Sequence, residues 1–301
     1  NRDEIAVCGY HGWHDWYISS NLQNKKNLDE IHLSGLSTIG IPKKLKGITH
    51  PFKYNDIQNF KNLIKNKPNI GVVFMEVERN EKPKINFLRQ IRNITSKKEI
   101  VLVFDECTSG FRETFGGLHK KYKIYPDLAV FGKALGNGIP ITAVIGKEKI
   151  MKAAQQSFIS STFWTDGTGP AAALATLEEM NNLKSWVKIS NIGKKIKKFW
   201  KYLSKKYNVN ILIYGIDALP SFKFKNKMNI YFKTFLTQEM LKKNILATNS
   251  VYCCIYHEKY LKIYFRELEK VFIEINKFIK GKDIMKSLNY PLSRSGFSRL
   301  N

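Results

Sequence analysis

Cysteine, arginine and long apolar runs are all scarce in this chain of 301 residues, and each scarcity excludes something. Four cysteines (Cys8, Cys107, Cys253 and Cys254) make no disulfide framework over such a length, and their spacings do not suit a zinc site. A reducing, cytoplasmic location is expected. No apolar run approaches the roughly 18 residues of a membrane span. The first residues, NRDEIAVCGYHGWHDW, lack the basic start, apolar run and small-residue cleavage site of an export leader. Only 8 of the 50 basic side chains are arginine, whereas readers of bases and of bidentate phosphate favour arginine over lysine. The net charge of +25 therefore reads as a lysine-coated surface. A nucleic-acid-binding protein is kept as a weaker alternative.

The charge is uneven. Residues 1–180 carry 25 basic and 18 acidic side chains, and residues 181–301 carry 25 and 7. That shift, together with the length, predicts a larger domain over 1–180 and a smaller one over 181–301. In the first part, IGVVFMEV (70–77), EIVLVFDE (99–106), DLAVFG (127–132) and PITAVIG (140–146) are short apolar runs, as in strands buried on both faces. Between the first two, Ile85, Leu88, Ile91 and Arg92 fall at helical spacing. Strand, helix, strand predicts a parallel βαβ unit. Helices are also expected over 56–66, with Asp56 near the start, over 169–180, and over 185–206, where Ile189, Ile192, Ile196, Phe199 and Leu203 form a stripe. Beyond 207, the stretches 209–215, 220–225 and 229–235 alternate like half-exposed strands, and 237–244 and about 257–280 read as helices. The fold class is therefore α/β, a mostly parallel sheet followed by a smaller α/β domain.

In open parallel sheets, functional groups gather beyond the carboxyl ends of the strands. Three of the predicted strands end in ionisable residues: Glu76, the pair Asp105 and Glu106, and Lys133. Lys133 follows an apolar strand and opens a turn with Gly132, Gly136 and Gly138. A lysine so placed, if desolvated, can act as a nucleophile or Schiff-base amine. Asp105 could equally cap a helix or form a salt bridge. His11 and His14 have H-x-x-H spacing, but without a glutamate base or third ligand nearby no metal is expected. STFWTDGTGP (161–170) sets hydroxyls and glycines before a helix, which suits either a phosphate or ordinary capping by Thr168.

Taken together, four blocks resemble the class III aminotransferases, fold-type I enzymes that use pyridoxal 5'-phosphate, with the glutamate-1-semialdehyde aminomutases among them. LVFDECTSGFRETFGG (102–117) is similar to the family's Asp-Glu strand and its T-G-F-R continuation, and PDLAVFGKALGNGIPITAVIG (126–146) to its lysine motif. YHGWHDWY (10–17) resembles the ring-stacking segment and STFWTDGTGP the threonine loop. The resemblance implies that Lys133 is the Schiff-base residue and that Asp105 binds the pyridine nitrogen. It places Tyr10 on the ring, Cys107 against it where the family has valine, and Thr108 near the ring hydroxyl. Glu76 takes the family's upstream glutamate position, and His11 stands behind these groups. Thr162 would reach the phosphate in a neighbouring subunit, which implies a homodimer with shared active sites and a small amino, keto or amino-aldehyde substrate. SGFSRL (295–300) looks like a natural terminus. Family members also carry a segment before the position of residue 1, with a loop for the cofactor phosphate. Residues 1–301 alone are therefore expected to bind the cofactor poorly, and a non-catalytic or fragmentary homologue is the alternative.

Overall fold

The computed structural model describes residues 2–29, 34–78, 80–294 and 296; the 295–300 stretch, Gly296 apart, lies outside them. Six strands form one sheet in the order β2-β1-β3-β4-β5-β6. They are β1 (Glu4–Cys8), β2 (Thr49–Pro51), β3 (Ile70–Glu76), β4 (Val101–Asp105), β5 (Leu128–Phe131) and β6 (Ala143–Gly146). All neighbours are parallel except β5 and β6. Helix α1 (Ile57–Asn66) precedes β3, and α2 (Ile85–Lys97) makes the crossover from β3 to β4. Asp56 caps α1 by accepting the Asn59 N–H at 2.9 Å. Side chains alternate across β3: Val73 and Met75 pack with Phe60, Leu88 and Ile91 under the helices, while Phe74 joins Val7 and Tyr17 on the other face.

The last strand departs from the expectation of burial on both faces. β6 is an antiparallel edge, and its Val144 and Ile145 are exposed. Two strands, β1 and β2, were not expected; β2 has only three residues, too few for a periodic pattern to show.

Asp127, at the foot of β5, ties the sheet together. It accepts the Leu102 N–H at 2.8 Å, Arg92 at 3.0 Å and Lys147 at 2.7 Å. Burial alone would raise its carboxyl, but these three donors outweigh it and hold the group below its ordinary value. A carboxyl depressed in the folded state contributes stability above its unfolded value near pH 4, and the contribution disappears as pH falls through the folded value. Asp127→Asn is expected to cost about 1–3 kcal/mol at pH 7. In urea titrations the gap from the parent should close as the solution is taken well below pH 4.

Helix α3 (Thr168–Leu183) ends at Lys184, whose φ of 50° is left-handed, and α4 (Ser185–Lys206) starts anew. The chain's two compact units divide between Leu183 and Lys184, and Gly296 belongs again to the first. The second unit holds α4, the antiparallel pair β7 (Ile211–Tyr214) and β8 (Ser221–Phe224), α5 (Asn229–Leu241) and α6 (His257–Ile279). Its core includes Trp200 against Phe222, and Phe224 against Phe232 and Phe272. Gly193 lets α4 pass the backbone of Asp217, because a Cβ there would fall 1.6 Å from the Asp217 carbonyl oxygen.

The strand expected over 229–235 is instead the first half of α5. Its β-prone residues alternate locally, but the buried set Phe232, Phe235, Leu236 and Met240 has helical spacing. Burial of that set outweighs local propensity. No helix among the described residues is long and apolar enough to cross a membrane.

Candidate active site

Parallel pairing sets the ends of β1, β3, β4 and β5 along one edge of the sheet. Glu76 pairs with Asp105, and Asp105 with Val130, in register. Lys133 follows three residues later, in the short 3-10 turn Lys133–Leu135. Its Nζ donates to Thr108 Oγ1 at 2.6 Å. Thr108 is itself buried, and the Arg112 Nε–H bonds its carbonyl oxygen at 2.7 Å. Lys133 has a φ of 45°, uncommon for a side chain of this size and of the kind that collects at functional sites. The expectation of a desolvated lysine is not met: Lys133 is exposed, because the glycine-rich turn that frees it of bulk also opens it to solvent.

Asp105 is held at both oxygens. Oδ2 lies 2.9 Å from His11 Nδ1, and Oδ1 accepts the Cys107 N–H at 3.0 Å. An ionised carboxylate only accepts, so His11 carries its proton on Nδ1. The His11 side chain is fully buried, with Phe74 at 4.5 Å and Tyr17 at 5.7 Å between ring centroids, and its Nε2 has no hydrogen-bond partner among the described residues. Asp105 caps no helix, so its fixed charge is available at the strand end.

Glu76 accepts the Tyr10 N–H at 3.1 Å, and the Tyr10 ring meets Trp13 edge-on at 5.2 Å. Gly9 makes this contact possible. Its φ is +109°, and a Cβ there would lie 2.6 Å from Glu76 Oε2. Gly9→Ala is expected to cost about 1–3 kcal/mol and to loosen the Tyr10 backbone, read by urea unfolding and by the Tyr10 amide exchange rate.

Cys107 Sγ would lie 3.0 Å from a Cβ at Gly132, so the absence of that atom leaves a cradle between the ends of β4 and β5. Burial pushes the Cys107 thiol up despite the nearby Lys133 charge, which keeps it neutral for packing. Thr162 stands in an exposed turn apart from this group. In the same loop Asp166, rather than Thr168, caps the start of α3, accepting the Thr168 N–H at 2.8 Å; that bond lowers its carboxyl. His14 lies beside Trp16, with the rings parallel to within 9° and 6.1 Å apart, so the two histidines of H-x-x-H face different partners.

The sequence reading missed the support beneath Asp105. Glu106 is fully buried and accepts from the His119 N–H and His119 Nδ1, both at 2.9 Å, and from the Ser109 hydroxyl. Its partner His119 lies 13 residues on, a spacing with no local signature. Glu106 thus fixes the T-S-G-F-R loop, while its neighbour Asp105 faces the strand ends.

A carboxylate fixed at both oxygens, an amine one strand away, a cradle open between them and an aromatic ring alongside suit a protonated heteroaromatic ring with an aldehyde. Four of the ring-directed residues predicted, Asp105, Cys107, Thr108 and Lys133, come together at the carboxyl ends of β4 and β5, with Tyr10, His11 and Glu76 joined to them at the ends of β1 and β3. Comparison with known proteins agrees. The family model described as aminotransferase class-III matches residues 6–265. The chain is 30% identical over 268 residues to the 3-aminobutyryl-CoA aminotransferase of Cloacimonas acidaminovorans, covering 86% of this chain and 60% of that protein. It is 26% identical over 278 residues to the glutamate-1-semialdehyde 2,1-aminomutase of Methanocaldococcus jannaschii, covering 89% and 60%. The chain thus spans about 60% of the length of these curated relatives. Among solved structures, the FumI protein of Sphingopyxis sp. MTA144 in its PLP internal aldimine form superposes with a TM-score of 0.82 at 20% identity, over 95% of this chain and 68% of that one. An omega-transaminase from Sphaerobacter thermophilus superposes at 0.74 and 19% identity, over 93% and 69%. The fold is that of the fold-type I transferases, and pyridoxal phosphate is the cofactor to which the family points. The chain belongs to the class III aminotransferase family.

Proposed function

We propose that the protein carrying this chain moves an amino group with pyridoxal phosphate, and that Lys133 and Asp105 are its catalytic residues. The observation that carries the reading is the pairing of the Lys133–Thr108 hydrogen bond with the doubly held Asp105 on adjacent strand ends. When bound, the cofactor supplies an electron sink that makes the substrate Cα–H acidic. With the cofactor bound, Lys133 Nζ would be the amine that holds it and, once free, the base that would carry the substrate Cα proton. Thr108 Oγ1 aims that amine. Asp105, with lone pairs left over from His11 and the Cys107 N–H, would be the anion that favours a proton on the ring nitrogen. Tyr10 and Cys107 bound the ring, Glu76 fixes Tyr10, and His11 orients Asp105.

Thr162 serves the phosphate of a neighbouring subunit in this reading, so the assembly is a homodimer. The exposed Phe158, Phe163 and Trp164 around it support a face that is covered in the assembly. Residues 1–180 act as the cofactor domain and 181–301 as the small domain. Four free thiols suit a cytoplasmic location.

Assay of the cofactor-loaded protein with a candidate amine, with and without an added keto acid, tests the reading. Turnover that requires the keto acid marks transfer between two substrates; turnover without it marks migration within one, as in an aminomutase. Absence of both across a panel of amines, with cofactor bound, would show a non-catalytic homologue.

A further inference from the structure

A cavity of about 610 Å³ opens at the same edge of the sheet, beyond the carboxyl ends of β1, β2 and β3. It is walled toward the site by Gly9 and Glu76, and β3 stands two positions from β5 in the sheet. Adjacent strands are about 4.8 Å apart, so the near wall is roughly 10 Å from the strand that leads to Lys133.

The lining has an unusual makeup. Four carboxamides face it: Asn24, Asn27, Asn59 and Asn80. Asn24 and Asn59 use their oxygens on the Lys26 and Lys53 N–H groups, which leaves both NH₂ groups to donate. Asn27 donates to the Ser20 carbonyl, leaving its oxygen to accept. The side chain of Asn80 makes no hydrogen bond among the described residues, and Glu81 gives one oxygen to Asn55 and keeps the other. Among the described lining residues the charges balance, Lys26 and Lys53 against Glu76 and Glu81. An apolar side is supplied by the half-buried ring of Tyr54, whose hydroxyl is engaged by the Val77 carbonyl, with Phe52 fully buried in the core behind.

We infer that this cavity binds a neutral, hydroxyl-rich group of monosaccharide size. Each hydroxyl both donates and accepts, as the open amide groups demand, and the C–H face of a sugar suits the ring of Tyr54. A phosphate or other multiple anion meets no net positive charge among the described lining residues, and a hydrocarbon would leave the amides unsatisfied. On the amino-transfer reading proposed above, this group is the distal part of the substrate, whose amine or carbonyl end reaches Lys133.

Saturation-transfer NMR on the 301-residue chain tests the inference, with methyl α-D-glucopyranoside as probe and glucose 6-phosphate and glutamate as comparisons. The glucoside is expected to show transfer and the two anions weaker transfer or none. Asn80→Leu and Asn24→Leu, both at exposed positions, should each weaken glucoside binding about fivefold, as for one hydrogen bond lost. Lys26→Ala, with circular dichroism to confirm folding, provides a third variant at the cavity mouth. No transfer to the glucoside, transfer unchanged in all three variants, or stronger binding of either anion would overturn the proposal. Borohydride labelling of Lys133 on the same protein separates the two readings. Labelling of Lys133 without glucoside binding rejects the cavity assignment alone, and glucoside binding with the pyridoxyl group on another lysine rejects the Lys133 reading while leaving the cavity a sugar site.

Discussion

Borohydride reduction of the pyridoxal-phosphate-loaded protein is expected to leave one pyridoxyl group, on Lys133, and Lys133→Ala to abolish both that group and amino transfer. The chain has 42 lysines, so the claim is selective. Lys133 combines a left-handed φ of 45°, a place just beyond a buried strand and an Nζ directed to Thr108 at 2.6 Å, one strand from Asp105. Its exposure leaves the amine open to an incoming aldehyde. Removing it deletes one hydrogen bond to the Thr108 hydroxyl, worth about 1 kcal/mol, so the fold should survive the change. Loss of both the covalent anchor and the proton carrier should lower turnover by roughly 10³-fold or more. Peptide mapping by mass spectrometry decides the matter: a pyridoxyl group on another lysine, or turnover retained in Lys133→Ala, would show that the assignment is wrong.

Much of this arrangement is legible in the sequence because parallel strands buried beneath helices read as continuous apolar runs. β3, β4 and β5 were each found within two residues, and their carboxyl ends located Glu76, Asp105 and Lys133. β1 was less legible: EIAVC is five residues long and begins with a charged residue, and only its pairing with β2 and β3 reveals it as a strand. The misreading of 229–235 has the opposite cause. A seven-residue alternating window resembles a strand, and the helical set shows only when Leu236 and Met240 are included.

Within the site, residue types could be read but environments could not. The glycines beside Lys133 mark a special turn, yet whether that turn buries or exposes the amine depends on what packs above it. The Glu106–His119 pair and the cavity near Glu76 depend on residues brought together from separate segments. No period in the sequence encodes such a meeting. Thr162 shows a different limit: its loop carries the family's pattern, but the structure places it in an exposed turn that by itself assigns it no partner group.

Asp105→Asn should lower turnover roughly 10²–10³-fold, the range seen when one preorganised electrostatic contact is lost, while the protein still folds and takes up cofactor. The substitution keeps shape and volume but removes the anion that favours a proton on the ring nitrogen. Its effect spreads through His11. In the parent, the Nδ1–H of His11 meets Asp105 Oδ2 at 2.9 Å, and Nε2 is buried without a partner. If the introduced amide turns its NH₂ toward His11, the imidazole must move its proton to Nε2, beside Phe74 and Tyr17, where no acceptor waits among the described residues. If it turns its oxygen there instead, its NH₂ faces the Cys107 N–H, donor against donor. The first arrangement keeps both hydrogen bonds but buries an N–H in place of a lone pair, and the second gives up the Cys107 bond; each costs about 1–3 kcal/mol. The variant should therefore be modestly less stable in urea and severely slowed in proton transfer, and the imidazole nitrogen shifts of His11 in NMR should report which arrangement is adopted. Cofactor content measured separately from turnover isolates the chemical role: full occupancy with near-parent turnover would reduce Asp105 to a structural tie between β1 and β4.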